Sequence, residues 1–339
     1  MSDNIASLTR YLDARSGDSV ALRVQPMRGG GSCEIFAVDR GSQRWVLRRA
    51  PAYSVSATAH DVLREFTILD AIKDQEVPIA RPVAACADPN VFGAPFYLMQ
   101  RIDGVPIRNG LPAAWVEAPA LHGRALELLI DTLVAIHRID WRACGLGESA
   151  PATGRYLERQ IRRWTDQLHS YAGRDLPAAE AVAHWLDANV PAEQGMALCH
   201  GDYKLDNVLF APSLPPALLA VVDWEMAGIG DPLVDLAWAL IFHPEGTIPL
   251  GVSASPAFAP QHLPSTSDLI ARYQQKSGRD TAQIGWYAIF ARWKLAIALE
   301  GSYAKFRRGQ SRNPVHEAMG KMTQTLLADA ENRIGRREV

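Results

Sequence analysis

What the chain lacks narrows the field first. Its 339 residues include only four cysteines, at 33, 86, 144 and 199, and no C-x-x-C pair. That spacing argues against a zinc ribbon, a dithiol redox motif or a disulfide-stapled scaffold, and leaves the thiols as small buried hydrophobes. Long apolar runs are missing as well. The most apolar stretches, 125–136 and 284–299, are interrupted by Glu127 and Asp131 and by Arg292 and Lys294, short of the ~18 uncharged residues a membrane span needs. The first ten residues show no basic segment leading into an apolar one, so no secretory signal is expected. Charge of one sign is also absent. Thirty-five Lys and Arg face 37 Asp and Glu, for a net charge of -2. No overall basic field points to nucleic acid or to an anionic membrane. There is no internal repeat and no low-complexity run. The expectation is a soluble, cytoplasmic protein whose oligomeric state is not legible.

What is present is an ordinary globular composition, 48% hydrophobic and 21% charged, with enough apolar surface for a large core. The length suits two domains or one bilobed one. The first hundred residues read as strands with one helix. Val20–Val24, Cys33–Val38, Trp45–Arg48 and Phe96–Met99 have strand character. Val62, Leu63, Phe66, Leu69 and Ile72 recur at helical spacing within 60–73. Asp103-Gly104 with Pro106 marks a turn, after which the chain turns helical. Helices are expected at 122–138, 155–171, 178–189, 232–242, 266–276, 283–306 and 314–335. A short β-like insert at 197–223 interrupts them, and 244–266 reads as loop. A small β-rich part followed by a large helical part suggests a cleft where they meet, near Met99–Gly104.

The most informative stretch is His200-Gly201-Asp202-Tyr203-Lys204-Leu205-Asp206-Asn207. An Asp with an Asn five residues on has the catalytic-loop spacing of kinases, where the Asp accepts the attacking hydroxyl's proton and the Asn holds Mg²⁺. Sixteen residues after Asn207, the apolar Val221-Val222 presents Asp223 at its end, the place for a second metal-binding carboxylate. Phosphoryl transfer needs such a set, because magnesium neutralises the transferring group while a separate carboxylate aligns the nucleophile.

These residues resemble the aminoglycoside phosphotransferase and choline kinase superfamily, and within it the kinase-like domain fused to some acyl-CoA dehydrogenases. H-G-D-Y-K-L-D-N-V-L-F at 200–210, V-V-D-W-E-M-A-G-I-G-D-P-L-V-D-L-A at 221–237 and V-L-R-R-A-P at 46–51 carry the resemblance, which runs from about 15 to 325. It implies an α+β, bilobal protein-kinase-like fold. A small antiparallel β-sheet N-lobe with one helix (1–101) would bind nucleotide phosphates. A larger, mainly helical C-lobe (102–339) would carry the catalytic loop and the acceptor site. Gly29, Gly30, Gly31 and Ser32 would cover the phosphates, since glycines let backbone N–H groups approach them closely. The strand-like Glu34–Val38 that follows argues against a dinucleotide-binding fingerprint, which would open a helix there.

Arg48 stands where kinases usually carry Lys, with Glu65 as its partner; a one-residue slip would transfer the role to Arg49. Arg keeps the charge and adds a fork suited to phosphate. Lys204 would reach the γ-phosphate, His200 would brace the loop, and Asp235 would hydrogen-bond the loop backbone. Asp231 with Pro232 reads as a helix N-cap. Met99–Ile102 would form the hinge, so that Gln100 and Ile102 meet adenine, with Leu209 and Val222 below.

The expected activity is transfer of the γ-phosphoryl group of ATP, with Mg²⁺, to a hydroxyl of a small molecule. Only eleven residues separate Asp223 from Asp235, too few for the activation segment of a protein-substrate kinase. GTP stays open as donor. An antibiotic phosphotransferase and a kinase-fold binding protein without turnover are the alternatives. From 241 to 339, thirteen Lys and Arg face eight Asp and Glu. With the resemblance, that balance favours an anionic acceptor such as a hydroxyacyl-CoA over a polycationic antibiotic.

Overall fold

The computed structural model describes residues 2–17, 19–27, 33–50, 61–108, 110–147, 155–171, 173–243 and 258–336. Gly29, Gly30, Gly31 and Ser32 lie outside the described residues. The chain opens with α1 (Ser2–Ser16), β1 (Leu22–Pro26), β2 (Glu34–Arg40), β3 (Gln43–Arg49) and α2 (Val62–Ile72). β4 (Pro82–Cys86), the one-turn α3 (Pro89–Phe92) and β5 (Phe96–Gln100) follow. The strands make one antiparallel sheet in the order β1-β2-β3-β5-β4.

Strand alternation divides the sheet's two faces. Phe96 and Leu98 pack with Leu8 and Leu12 of α1 and Phe92 of α3. Tyr97 and Met99, one residue out of phase, join the core that holds Ile68, Leu69 and Ile72 of α2. Asp61 caps α2, its carboxylate accepting the N–H groups of Leu63 and Arg64.

Residues 101–104 lead to β6 (Val105–Pro106), α4 (Ala113–Val116), α5 (His122–Arg138), α6 (Tyr156–Ser170) and α7 (Pro177–Ala188). Next come β7 (Ala197–Cys199), β8 (Val208–Phe210), β9 (Leu218–Val221) and β10 (Gly228–Gly230). The chain then forms α8 (Pro232–Ile241), α9 (Thr266–Ser277), α10 (Ile284–Arg307) and α11 (Pro314–Arg336). β7 pairs with β10, and β6-β8-β9 form a second small sheet. In α5, Leu126, Leu129, Ile130, Leu133 and Ile136 form the buried stripe, each contributing about 1.5–3 kcal/mol by leaving water. α10 is buried on most sides. Trp286 stacks on Phe290 at 5.5 Å, and the Trp286 and Trp293 N–H groups donate to Leu186 O and Ala179 O, so these indoles stay satisfied inside the core.

Two contacts bring the sheet and the helical part together. Val221 N–H donates to Pro78 O at 2.8 Å, and Gly104 passes so close to Leu209 that a Cβ there would stand 2.9 Å from that residue's own. Cys33, Cys86 and Cys199 are buried, Cys144 is half-buried, and all four are free thiols. Among the described residues, no helix is long and apolar enough to cross a membrane.

Candidate active site

A cleft of about 280 Å³ opens between β2, β3 and β5 on one side and the β8–β9 hairpin on the other. Ile35, Val46, Ala80 and Met99 form its apolar upper wall; Leu209 and Val222 lie below; Gln100, Arg101 and Ile102 edge it; Arg48 and Asp223 stand at its charged end. Along the edge, Arg101 N–H is taken by Arg44 O at 3.0 Å. A flat apolar slot with backbone along one edge and charge at the far end suits a planar base joined to phosphates.

The charged end follows from hairpin register. Val208 pairs with Val221 and Val222 N–H donates to Asn207 O at 2.9 Å. Asn207 and Asp223 therefore leave the two strands side by side. Asp223 takes the left-handed conformation, φ 69° and ψ 56°, which Asp tolerates better than most residues. Glu65 stabilises the turn by accepting the next N–H, that of Trp224, at 3.0 Å.

Arg48 is 5% exposed and Glu65 1%, and their Nε and Oε2 form a 3.1 Å ion pair. The same guanidinium reaches Asp223 at 2.9 Å and Glu225 at 3.8 Å. Burial pushes the Glu65 carboxyl up to about 7 against the pull of Arg48, with Asp223 adding to the rise. For Arg48, burial opposes the charge, but Glu65, Tyr97 and Asp223 outweigh it and keep the guanidinium protonated. Arg49 points elsewhere: it pairs with Glu34 at 2.7 Å, donates to Phe92 O and stacks on Phe36 and Phe92.

At the loop, Asn207 Nδ2 donates to both Asp202 O and Asp202 Oδ2 at 2.8 Å, which leaves the Asn207 side-chain oxygen available. Lys204 Nζ reaches both Asp202 oxygens at 2.8 and 2.9 Å, and Trp238 Nε1 donates to Oδ1 at 2.9 Å. Asp235 fixes the backbone by accepting His200 N–H at 2.5 Å and Gly201 N–H at 2.9 Å. His200 Nδ1 accepts the Asp202 N–H, so its other nitrogen donates to Val222 O at 3.0 Å. His200 thus ties the Asp202 loop to the strand bearing Asp223. Burial would raise the Asp235 carboxyl, but hydrogen bonds from His137 and the Gly201 backbone hold it below the usual range.

Gly201, at φ +83°, lies against Met226 O so closely that no Cβ fits. His137, Cys199 and Asp235 could offer ligand atoms within 4.8 Å of one another, yet both Asp235 oxygens already serve the loop backbone. Asp231 caps α8 through Leu233 N–H, with Pro232 opening the helix.

Arg48, Asp223, Gln100, Ile102 and Leu209 thus line one cleft; Glu65 stands behind Arg48, and the Asp202–Lys204–Asn207 group adjoins it through the Val222–Asn207 and His200–Val222 hydrogen bonds. Sequence reasoning missed Trp238, Lys294, Arg64 and Glu225. Arg64 donates to Glu225 O and Ala227 O. Part of the basic set counted in 241–339 is engaged locally. Arg272 and Lys276 pair with Asp131, and Arg292 pairs with Asp329. Those three cations are therefore held in local ion pairs, which a residue count cannot register.

A sheet laid over a helical body, with a cleft between them that carries Arg48 and Asp223, is the fold of a kinase-like phosphotransferase. Residues 23–266 match the model of the phosphotransferase enzyme family, and the chain belongs to that family. It is 31% identical over 319 residues to acyl-CoA dehydrogenase family member 11 of Rattus norvegicus, covering 91% of this chain and 40% of that protein. The chicken (Gallus gallus) counterpart is 32% identical over 312 residues, with 90% and 40% covered. The chain therefore spans about two-fifths of the length of these relatives. Viomycin phosphotransferase of Streptomyces vinaceus is 29% identical over 178 residues, 52% of this chain and 59% of that one. Among solved structures, a Ralstonia eutropha protein assigned provisionally as an aminoglycoside phosphotransferase superposes with a TM-score of 0.81 at 25% identity, covering 96% and 98% of the two chains. An aminoglycoside phosphotransferase in complex with AMP-PNP and hygromycin B shares the fold at a TM-score of 0.61 and 15% identity, with 95% and 98% covered.

Proposed function

We propose that this chain transfers the γ-phosphoryl group of ATP to a hydroxyl on a small molecule. The observation that carries the reading is that Arg48, paired with Glu65, and Asp223 line one cleft, while hairpin register sets Asn207, bonded to Asp202, beside Val222. Adenine lies between Val46, Ala80 and Met99 above and Leu209 and Val222 below, facing the 100–102 backbone. Arg48, held by Glu65, meets the phosphates. The bond from the γ-phosphorus to the β-bridging oxygen breaks, a new bond forms to the acceptor oxygen, and the hydroxyl proton passes to the Asp202 carboxylate. Lys204 and Trp238 hold that carboxylate in line and lessen the charge it presents to the phosphate. Lys204 is also the cation within reach of the transferring group.

The residues fit Mg²⁺. Asn207 spends its amide N–H groups on Asp202 and keeps its oxygen, and Asp223 and the neighbouring Glu225 add carboxylates, so the donors are all hard oxygens. Bound there, magnesium would supply charge neutralisation at the phosphates. ADP release with Mg·ATP, measured with and without candidate acceptors, tests the reading. Loss of that release in Asp202→Asn supports it, and full release in that variant overturns it.

For the acceptor, the relatives with acyl-CoA dehydrogenase names favour a hydroxyacyl-CoA ester; Lys204, near the transferring group, suits an anionic substrate. The similarity to viomycin phosphotransferase favours the second reading, an antibiotic acceptor. A panel of hydroxyacyl-CoAs and aminoglycosides separates the two. A third reading, a kinase-fold binding protein, predicts nucleotide binding without ADP release.

A further inference from the structure

Lys294 lies in the middle of α10, 7% exposed. Its ammonium sits 4.2 Å from the centre of the Trp238 ring and 5.5 Å from that of Trp164, and donates to Gly201 O at 3.2 Å. At the edge of the same indole, Trp238 Nε1–H donates to Asp202 Oδ1 at 2.9 Å. Ammonium, indole and carboxylate therefore form one chain of contacts. We propose that Lys294 is a positioning residue for phosphoryl transfer, acting on Asp202 through the Trp238 indole and through the Gly201 carbonyl that precedes it. The inference rests on Asp202 being the group that receives the acceptor's proton.

Physical chemistry gives the cation two effects. A charge over the face of an indole is attracted by the ring's quadrupole and draws electron density from it. The opposite edge then becomes a stronger hydrogen-bond donor, as in any polarised chain of such bonds. The bond to Gly201 O fixes the peptide on which Asp202 pivots, at a glycine whose conformation is already unusual, φ +83°.

The fold itself has little use for the charge. Burial pushes the Lys294 amine down, with Asp235 and Asp202 opposing that fall and Arg163 adding to it. Among the described residues no carboxylate forms an ion pair with Lys294, and a buried charge without a counter-charge is costly to the fold. Methionine would fill this space between two indoles without desolvating a charge. A cation kept where packing does not favour it, and wired to the group that aligns the nucleophile, belongs to function.

The experiment compares Lys294→Met, Lys294→Arg, Trp238→Phe and the Lys294→Met/Trp238→Phe double variant with wild type. Thermal midpoints are measured alongside Mg·ATP turnover by ADP release. Lys294→Met is expected to keep or raise the midpoint, hold the nucleotide KM within about twofold and lower kcat by about 10- to 100-fold, the scale of a small misplacement of a reacting group. Lys294→Arg should recover part of kcat. Because the lysine acts largely through the indole, the double variant should fall well short of the product of the two single losses. Fully multiplicative losses overturn the inference, and so does a Lys294→Met variant that melts early while keeping kcat.

A second readout needs no turnover. In ¹⁵N-labelled protein, the Trp238 side-chain N–H resonance, identified by its absence in Trp238→Phe, should move upfield in both Lys294→Met and Asp202→Ala. An unmoved resonance in Lys294→Met refutes the relay. If the wild type releases no ADP, the phosphotransferase reading fails, and this resonance alone decides whether lysine and carboxylate communicate through the indole.

Discussion

Arg48→Met removes the cation shared by three carboxylates at once. Its guanidinium is 5% exposed and stands 3.1 Å from Glu65, 2.9 Å from Asp223 and 3.8 Å from Glu225. Glu65, 1% exposed, is left without a counter-charge, and stripping one partner from a buried pair costs about 3–5 kcal/mol. Glu65 can escape part of that cost by taking up a proton. Burial already pushes its carboxyl up to about 7 beside Arg48, and without the cation it rises further. The folded variant then holds a proton that the unfolded chain releases in the ordinary carboxylate range. Stability from this source is present at acid pH and lost as pH climbs through the raised value. Because wild-type Glu65 already stands at about 7, the midpoint deficit of Arg48→Met should be steady below that pH and widen above it, by up to about 1.4 kcal/mol per pH unit. Arg48→Met/Glu65→Leu removes both charges and should recover most of the midpoint near pH 8, yet bind nucleotide no better than the single variant. Scanning calorimetry and titration of Mg·ATP read the two effects separately. Arg49→Ala is the control, since Arg49 lies on Phe36 and Phe92 and pairs with Glu34; its nucleotide affinity should stay near wild type. A larger loss of nucleotide affinity in Arg49→Ala than in Arg48→Met, or a midpoint deficit in Arg48→Met that ignores pH, refutes the reasoning.

Asp202→Asn should lower kcat by on the order of 10²–10⁴, the usual worth of a positioned base, while nucleotide affinity changes little; steady-state ADP release measures both. Asp223→Ala should abolish the Mg²⁺ dependence of nucleotide binding, so equal calorimetric affinity with and without the ion in wild type would contradict its role. Gly201→Ala places a Cβ against Met226 O at a positive φ, and is expected to lower the melting midpoint and kcat together. Asp131 is half-buried; burial would raise its carboxyl, but Arg272 and Lys276 hold it below the usual range. Its contribution is present at neutral pH and lost as pH falls through that lowered value. Asp131→Asn should thus cost about 1 kcal/mol near pH 7 and converge on wild type in acid melts.

Legibility in the sequence followed how local each signal is. The expected helix at 122–138 is α5, His122–Arg138, because a one-sided apolar stripe repeats over nearly five turns. α1 was hidden because its buried contribution is chiefly Leu8 and Leu12, too few positions to reveal a period. β4 was hidden by Pro82 at its first residue. The strand lies at the sheet edge, where a missing N–H costs no ladder bond. Within the site, Asp202, Lys204 and Asn207 share one loop and Asp223 ends the adjoining strand, so spacing alone suggested them. Trp238 reaches the Asp202 carboxylate from α8, and Lys294 reaches Trp238 and Gly201 O from α10, and only tertiary packing brings them there. The one sequence signal is a lysine set in the apolar run of α10, which reads in the sequence as a break in hydrophobicity and as part of the basic excess of 241–339.

The placement of α2 links the two halves of the site. Arg64 donates to Glu225 O and Ala227 O, while Glu65 accepts Trp224 N–H and pairs with Arg48. Consecutive residues of one helix thus hold the 223–227 segment from outside and from within. Asp223 keeps its left-handed backbone, which costs about 1–2 kcal/mol for a residue other than glycine, because those bonds define the turn around it. A shift of α2 away from the hairpin would break the Glu65 bond and loosen Arg48 in the same motion. Glu65 therefore governs two things at once, the cation at the charged end of the cleft and the backbone angle at which Asp223 points into it. A ligand that bridges Arg48 and Asp223 would be expected to tighten α2 against the helical part, because every group it touches is tied to that helix.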